Sequence, residues 1–197
     1  MNTFPSKTQY YQMIELFEKA NRNFLNDHLM LLESRVSERT MCGQLQININ
    51  DLIKGDEFYE GYYVDVEYNR NVGRRGKRIR NDRFEKVNIN CDLIVHSRGK
   101  DLEQDNLIAI EMKKVEQRSL RKEEEIVKDK ERLMALTRPS YGEDWRYDGE
   151  NLPDFVCRFI LGVYYEINYI NRKIYIQYYR SGEMVDDRVI DFAEIGL

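Results

Sequence analysis

The chain of 197 residues (23.7 kDa) has the length of one ordinary domain. Hydrophobic residues make up 42% of it and include 14 Tyr and 8 Phe, enough apolar area for a core, which excludes wholesale disorder. The net charge of -4, from 31 basic and 35 acidic residues, argues against a protein that holds nucleic acid by uniform positive charge.

The first third reads as helix, with Ile14, Phe17, Phe24, Leu25, Leu29 and Leu32 near the helical period. Ser37 is placed to cap a second helix whose apolar positions Met41, Leu45 and Ile49 are followed by Leu52 and Ile53, and Gly55 ends it. Glu38 stands at the head of that core-facing stripe, an unusual place for a solvated carboxylate.

The pattern then switches to period two in Tyr62-Tyr63-Val64-Asp65-Val66-Glu67-Tyr68. A basic stretch follows, in which Arg70, Arg74, Arg75, Lys77, Arg78, Arg80, Arg83 and Lys86 face only Asp82 and Glu85, and Gly73 and Gly76 make it a loop or hairpin tip. Cys91-Asp92-Leu93-Ile94-Val95-His96 and Asn106-Leu107-Ile108-Ala109-Ile110-Glu111-Met112-Lys113 are nearly continuous apolar runs, as expected of strands covered on both faces.

From Glu116 to about Leu136 a highly charged amphipathic helix is expected, on a stripe of Leu120, Val127 and Met134 with Ile126 and Leu133 beside it. Thr137 to Leu152 reads as a long loop. Phe155 to Ile167, Lys173 to Tyr179 and Met184 to Ile190 read as three strands, with turns at Asn168 to Arg172 and Ser181-Gly182. The order α-α-β-β-β-α-β-β-β implies an α/β domain, a mixed sheet flanked by helices on both sides.

No apolar run approaches the about 18 residues that cross a bilayer, and Met1-Asn2-Thr3-Phe4-Pro5-Ser6-Lys7 lacks the order of a signal peptide. Cys42, Cys91 and Cys157 are an odd set without paired spacing, against a disulfide framework or a cysteine zinc site. A cytoplasmic location is expected.

Three chemically distinctive groups converge in this order. Asp92 opens one apolar strand, while Glu111 and Lys113, two residues apart, share a face at the close of the next. A short antiparallel connection brings the start of the first beside the end of the second. Polar groups that interrupt apolar strands cost free energy unless something satisfies them. A divalent cation does so, and hard carboxylate oxygens suit Mg2+, with Mn2+ as a substitute. The competing reading is a strand-terminal salt bridge of Lys113 with Asp92 or Glu111.

Asp92…Glu111-Met112-Lys113, with each element at the end of an apolar strand, resembles the signature of the PD-(D/E)xK nuclease superfamily, the restriction-endonuclease-like proteins. Val64-Asp65-Val66-Glu67-Tyr68-Asn69-Arg70 and Cys91-Asp92-Leu93-Ile94-Val95-His96-Ser97-Arg98-Gly99 are similar to segments of small bacterial members. The likeness covers about Ser37 to Leu136, and Cys91 stands where the signature has proline. The resemblance implies an αβββαβ core with an extra N-terminal helix and a C-terminal β-hairpin. It implies one domain: an N-terminal helical extension (1–36), a catalytic core (37–136), and a loop with C-terminal strands (137–197). It further implies a Mg2+-dependent phosphodiesterase in which Asp92 and Glu111, with Glu38 assisting, hold the ion. Lys113 then serves the attacking water and the transition state.

Arg70, Arg74, Arg75, Lys77, Arg78 and Arg80 are the expected phosphate-binding arm, DNA being favoured over RNA, and a homodimer is compatible with one cut per site. The alternative is a nuclease-fold binding or adaptor module with little turnover. Glu67 is a further candidate ligand or simply part of a polar strand face. His96 is expected to be a hydrogen-bonded strand histidine, His28 structural, and Cys42 and Cys91 ordinary buried thiols. The tyrosines Tyr164, Tyr165, Tyr175, Tyr178 and Tyr179 read as sheet packing or a dimer surface.

Overall fold

The computed structural model describes residues 4–68, 78–80, 86–88, 91–101, 103–140 and 156–197, and for 78–80 and 86–88 the backbone alone. Helix α1 (Lys7–Asp27) starts at a reciprocal cap: Ser6 Oγ accepts from the Gln9 amide at 3.2 Å and Gln9 Oε1 from the Ser6 amide at 3.1 Å. Met13, Phe17, Ala20 and Phe24 form its buried stripe. The N-terminal helical run is broken at His28, whose φ of -130° and ψ of 28° leave the helical region. The short α2 (Leu29–Glu33) follows as a separate helix, and the Leu32 carbonyl accepts from Tyr169 Oη at 2.7 Å. Helix α3 (Glu38–Ile53) is capped by Ser37, whose side chain accepts from the Thr40 amide at 3.2 Å, and Gly55, at φ 82°, turns the chain away.

Six strands form one mixed sheet: β1 (Tyr63–Val66), β4 (Leu93–His96), β5 (Asn106–Val115), β6 (Leu161–Asn168), β7 (Lys173–Arg180) and β8 (Glu183–Asp191), hydrogen-bonded in that order. Among the described residues only β5 and β6 are parallel neighbours; the crossover between them carries helix α4 (Leu120–Thr137). The remaining strands, β2 (Arg78–Arg80) and β3 (Lys86–Asn88), make a separate antiparallel pair, and β2 lies close to α4. The protein is thus an α/β fold with a mixed sheet flanked by helices, as the element order implied.

Period-two alternation divides the sheet between two cores. Leu93, Val95, Ile108, Ile110 and Met112 face the larger one with α1 and α3. Ile94, Ala109 and Tyr164 face the smaller one with Leu133 and Leu136 of α4. Both faces of β4 and β5 are covered, which is why these strands read as continuous apolar runs.

Several expectations need correction, among them the strand expected from Phe155, which begins at Leu161. Strand β5 runs on to Val115, because β6 pairs with it through Val115 and Asn168, so Glu111 and Lys113 lie inside the strand. Helix α4 starts only after Ser119, whose side chain accepts from the Lys122 amide at 3.2 Å. Its buried stripe also differs: Leu120 and Val127 are exposed, while Asp129, Leu133, Leu136 and Thr137 are buried. A helix after a sheet strand is rotated to suit the sheet, and Leu120 falls in its first, outlying turn. Of the expected basic arm, Arg70, Arg74, Arg75, Lys77 and Arg83 lie outside the described residues, as does most of the loop expected at 137–152 (141–152); Arg78, Arg80 and Lys86 are on the β2–β3 pair.

Candidate active site

The sheet brings Asp92, Glu111 and Lys113 together because β4 and β5 are antiparallel, with Leu93 opposite Ile110 and Ile94 opposite Ala109. One step further, Asp92 Oδ2 accepts a hydrogen bond from the Met112 amide at 2.7 Å. Glu111 and Lys113 share the parity of Ala109 and therefore point to the α4 side.

What waits for them on α4 is Asp129 and Arg132. Lys113 Nζ pairs with Asp129 Oδ2 at 2.7 Å. Arg132 Nη1 donates to Glu111 Oε1 at 2.7 Å and reaches Asp129 Oδ1 at 3.2 Å. Lys113 thus pairs with a helix residue, not with Asp92 or Glu111 as the salt-bridge reading supposed. Neither Asp129 nor Arg132 was found from the sequence, although one signal was present. Asp129 lies three residues after Ile126 and four before Leu133, so a carboxylate sits in the middle of an apolar stripe.

Glu38 approaches the same strand from the other side. As the first residue of α3, it accepts from the Lys114 amide through Oε1 at 2.6 Å and lies 3.5 Å from Lys122 Nζ. With Asp92, Cys42, Glu67 and Lys114 it lines a cleft of about 380 Å³. Glu67 itself, at φ 51°, pairs with Arg39. Within this cleft Cys42 packs its sulfur 3.6 Å from that of Met112. Burial, with Asp92 and Glu38 adding, raises the thiol's pKa, so it is held protonated and behaves as a packing residue.

Burial disfavours the charged form of both carboxylates. Burial pushes Asp92 up to about 6; the Met112 amide and Lys113 pull it back, while Asp129 and Glu38 add to the rise. Burial pushes Glu111 up to about 8, opposed by Arg132 and reinforced by Asp92 and Asp129. Burial works against the Lys113 ammonium too, but the ion pair with Asp129 outweighs it, so its pKa lies above the ordinary lysine value. A lysine held in this way is a poor general base and a good fixed cation.

The donor set fits a hard divalent cation carried on two carboxylates. Asp92 Oδ1 and Glu111 Oε2 make no hydrogen bond among the described residues, and both groups gain from added positive charge. Among the described residues no group of three His, Cys, Asp or Glu side chains is arranged to enclose an ion, so Glu38 does not complete a three-carboxylate cage here. Mg2+ keeps several waters and does not require one.

His96 is hydrogen-bonded as expected: its Nε2 lies 3.0 Å from Asp65 Oδ2, and Arg98 forks onto the same carboxylate at 2.7 and 2.5 Å. Cys42, Cys91 and Cys157 are buried, and Tyr164, Tyr165, Tyr178 and Tyr179 pack in the cores. Among the described residues no helix is long and apolar enough to cross a membrane. Comparison of the chain with protein-family models, with curated proteins and with solved structures finds no match in any of the three.

Proposed function

We propose that this chain is a metal-dependent nuclease of the PD-(D/E)xK kind, hydrolysing phosphodiester bonds of nucleic acid, DNA in preference to RNA. The observation that carries the reading is the convergence of Asp92, Glu111 and Lys113 on one face of two adjacent strands. Glu38 is hydrogen-bonded to the very next backbone amide of the same strand. The order α3, β1, β4, β5, α4, β6 supports the restriction-endonuclease-like αβββαβ core.

In this reading Asp92 and Glu111 hold Mg2+ or Mn2+. The ion supplies a polarised phosphoryl oxygen and a more acidic bound water. Asp129 keeps Lys113 protonated and fixed, so its ammonium stabilises the charge that grows on the phosphate in the transition state. Arg132 orients Glu111 and limits its freedom to swing. Glu38 fixes the end of β5 against α3 and adds negative charge beside Asp92. The basic arm from Arg70 to Lys86 supplies phosphate contacts without base reading.

The test is cleavage of single- and double-stranded DNA and RNA with Mg2+, Mn2+ or EDTA. Cleavage that depends on the metal and is lost in Glu111→Gln and Lys113→Met supports the reading; cleavage retained in both refutes the site. A second reading, a nucleic-acid-binding module with little turnover, is favoured by one observation. Glu111 and Lys113 are already closed off by Arg132 and Asp129, and Glu111 is only 2% exposed. Binding of DNA without cleavage by metal-loaded protein selects it.

A further inference from the structure

A second cleft, of about 310 Å³, opens on the α4 side of the sheet. It runs from the end of β5 across β6 to β7, and its walls include Arg118, Lys122, Lys130, Tyr164, Glu166 and Tyr175. Register ties it to the candidate active site: Tyr164 is the partner of Glu111 on β6, Glu166 is the partner of Lys113, and Lys130 follows Asp129 on α4. Lys122 also reaches Glu38, so one cation stands between the two clefts.

The cleft carries three cations, Arg118, Lys122 and Lys130, against two carboxylates, Glu123 and Glu166. Lys130 is half-buried, its ammonium 4.6 Å from the centroid of the Tyr164 ring, and it makes no salt bridge among the described residues. The acid facing it, Glu166, is occupied elsewhere: Oε2 accepts from Tyr164 Oη and Oε1 from Asn168 Nδ2, each at 2.8 Å. Arg118 likewise makes no salt bridge among the described residues. Arg118 is exposed, but Lys130 is partly taken out of water, which disfavours its charge unless an anion meets it. Burial accordingly lowers the Lys130 pKa, with only Glu166 acting in the other direction. Beside these cations the half-exposed Tyr175 offers an aromatic edge, its hydroxyl accepting from Asn171 Nδ2 at 3.1 Å.

We propose that this cleft binds one nucleotide of a nucleic-acid strand. Its phosphate is met by Lys130 with Arg118 and Lys122, and its base lies against Tyr175, beside the phosphodiester bond held at Asp92 and Glu111. The proposal rests on the nuclease reading for the identity of the ligand. The cations and the aromatic select a phosphate with an attached ring, rather than a free anion. The cleft would place the strand on the α4 side of the sheet and fix which bond reaches the carboxylates.

The experiment measures the affinity of a fluorescent oligothymidylate in EDTA, where no cleavage occurs, for wild type, Lys130→Met, Tyr175→Ala and Lys128→Met. Lys128 is an exposed lysine on the same helix, outside the cleft. Lys130→Met is expected to weaken binding about tenfold and to lower the slope of log affinity against log salt by about one. Tyr175→Ala is expected to lose about fivefold or more, with the salt slope unchanged. Lys128→Met stays near wild type, and thermal melts establish that all four are folded. Inorganic phosphate and thymidine, added separately as competitors, must each displace the oligonucleotide less well than thymidine monophosphate.

Lys130→Met binding as wild type does, or losing no more than Lys128→Met, overturns the proposal. So does a wild type that binds no oligonucleotide. A parallel cleavage assay in Mg2+ separates the two readings. A wild type that cuts DNA while Lys130→Met binds normally removes only the cleft. A wild type that never cuts but loses affinity on Lys130→Met keeps the cleft and removes the nuclease.

Discussion

Asp129→Asn probes the interaction that joins helix α4 to the candidate catalytic lysine. The side chains of Lys113 and Asp129 are 12% and 8% exposed, and their atoms are 2.7 Å apart, so the substitution leaves a nearly buried ammonium without its counter-charge. Removing one partner of a buried ion pair costs about 3–5 kcal/mol. Asparagine keeps a polar oxygen beside Nζ, and Glu38 and Asp92 still favour the ammonium, which brings the expected loss to about 2–3 kcal/mol. For a chain of this length that corresponds to a Tm lower by roughly 4–12 °C.

The assay is urea unfolding of wild type, Asp129→Asn, Lys113→Met and the double variant. Because the two groups touch, the cycle should give a coupling of at least about 1.5 kcal/mol, the double variant losing less than the two single losses together. In metal-loaded protein, the turnover of Asp129→Asn should fall at least about tenfold, since Lys113 loses its counter-charge and Arg132, which holds Glu111, loses its second carboxylate contact. A stability loss under about 0.5 kcal/mol, or single losses that add, refutes the claim that Asp129 holds Lys113.

Ser37→Ala removes the oxygen that accepts the Thr40 amide and should cost about 1 kcal/mol in urea unfolding; Ser37→Asp should recover most of it. Gly162→Ala places a Cβ at 3.0 Å from Thr137 Cγ2 and 3.1 Å from Tyr179 Cβ, so overpacking between α4 and β6 should cost about 1–3 kcal/mol by thermal melting. Burial works to raise the Asp65 pKa, but the Arg98 fork and His96 outweigh it, leaving the folded value below the ordinary 3.8. A depressed carboxylate stabilises above the unfolded pKa, and that contribution fades as pH falls through the folded one. Wild type should therefore lose stability below about pH 4, and Asp65→Asn should lose less over the same window in urea titrations.

Much of this architecture is carried by local rules. The Ser37 cap, the Gly55 stop, the alternation at β1 and the two apolar runs of β4 and β5 each depend on residues near in sequence, and each forms where those rules place it. The pairing of Asp92 with the start of one strand, and of Glu111 and Lys113 on one face of the next, needs only the period of two and an antiparallel turn. The turn itself is held by Asp105, whose carboxylate accepts from Ser97 Oγ at 2.6 Å and from the Gly99 amide at 2.7 Å. Local rules misplace the end of β5, because its last two residues are strand only through their pairing with β6.

The meeting of two carboxylates and a lysine at the junction of two buried strands thus follows from local patterning. Their partners depend instead on long-range packing. Which stripe of α4 is buried depends on how the helix rolls on the sheet, and in so charged a segment several stripes satisfy the helical period. The roll adopted here buries Leu133 and Leu136, exposes Val127, and carries Asp129 onto Lys113 and Arg132 onto Glu111. Those partners are 16 and 21 residues away along the chain, and no local propensity links them; it is the packing of α4 over β5 and β6 that does so.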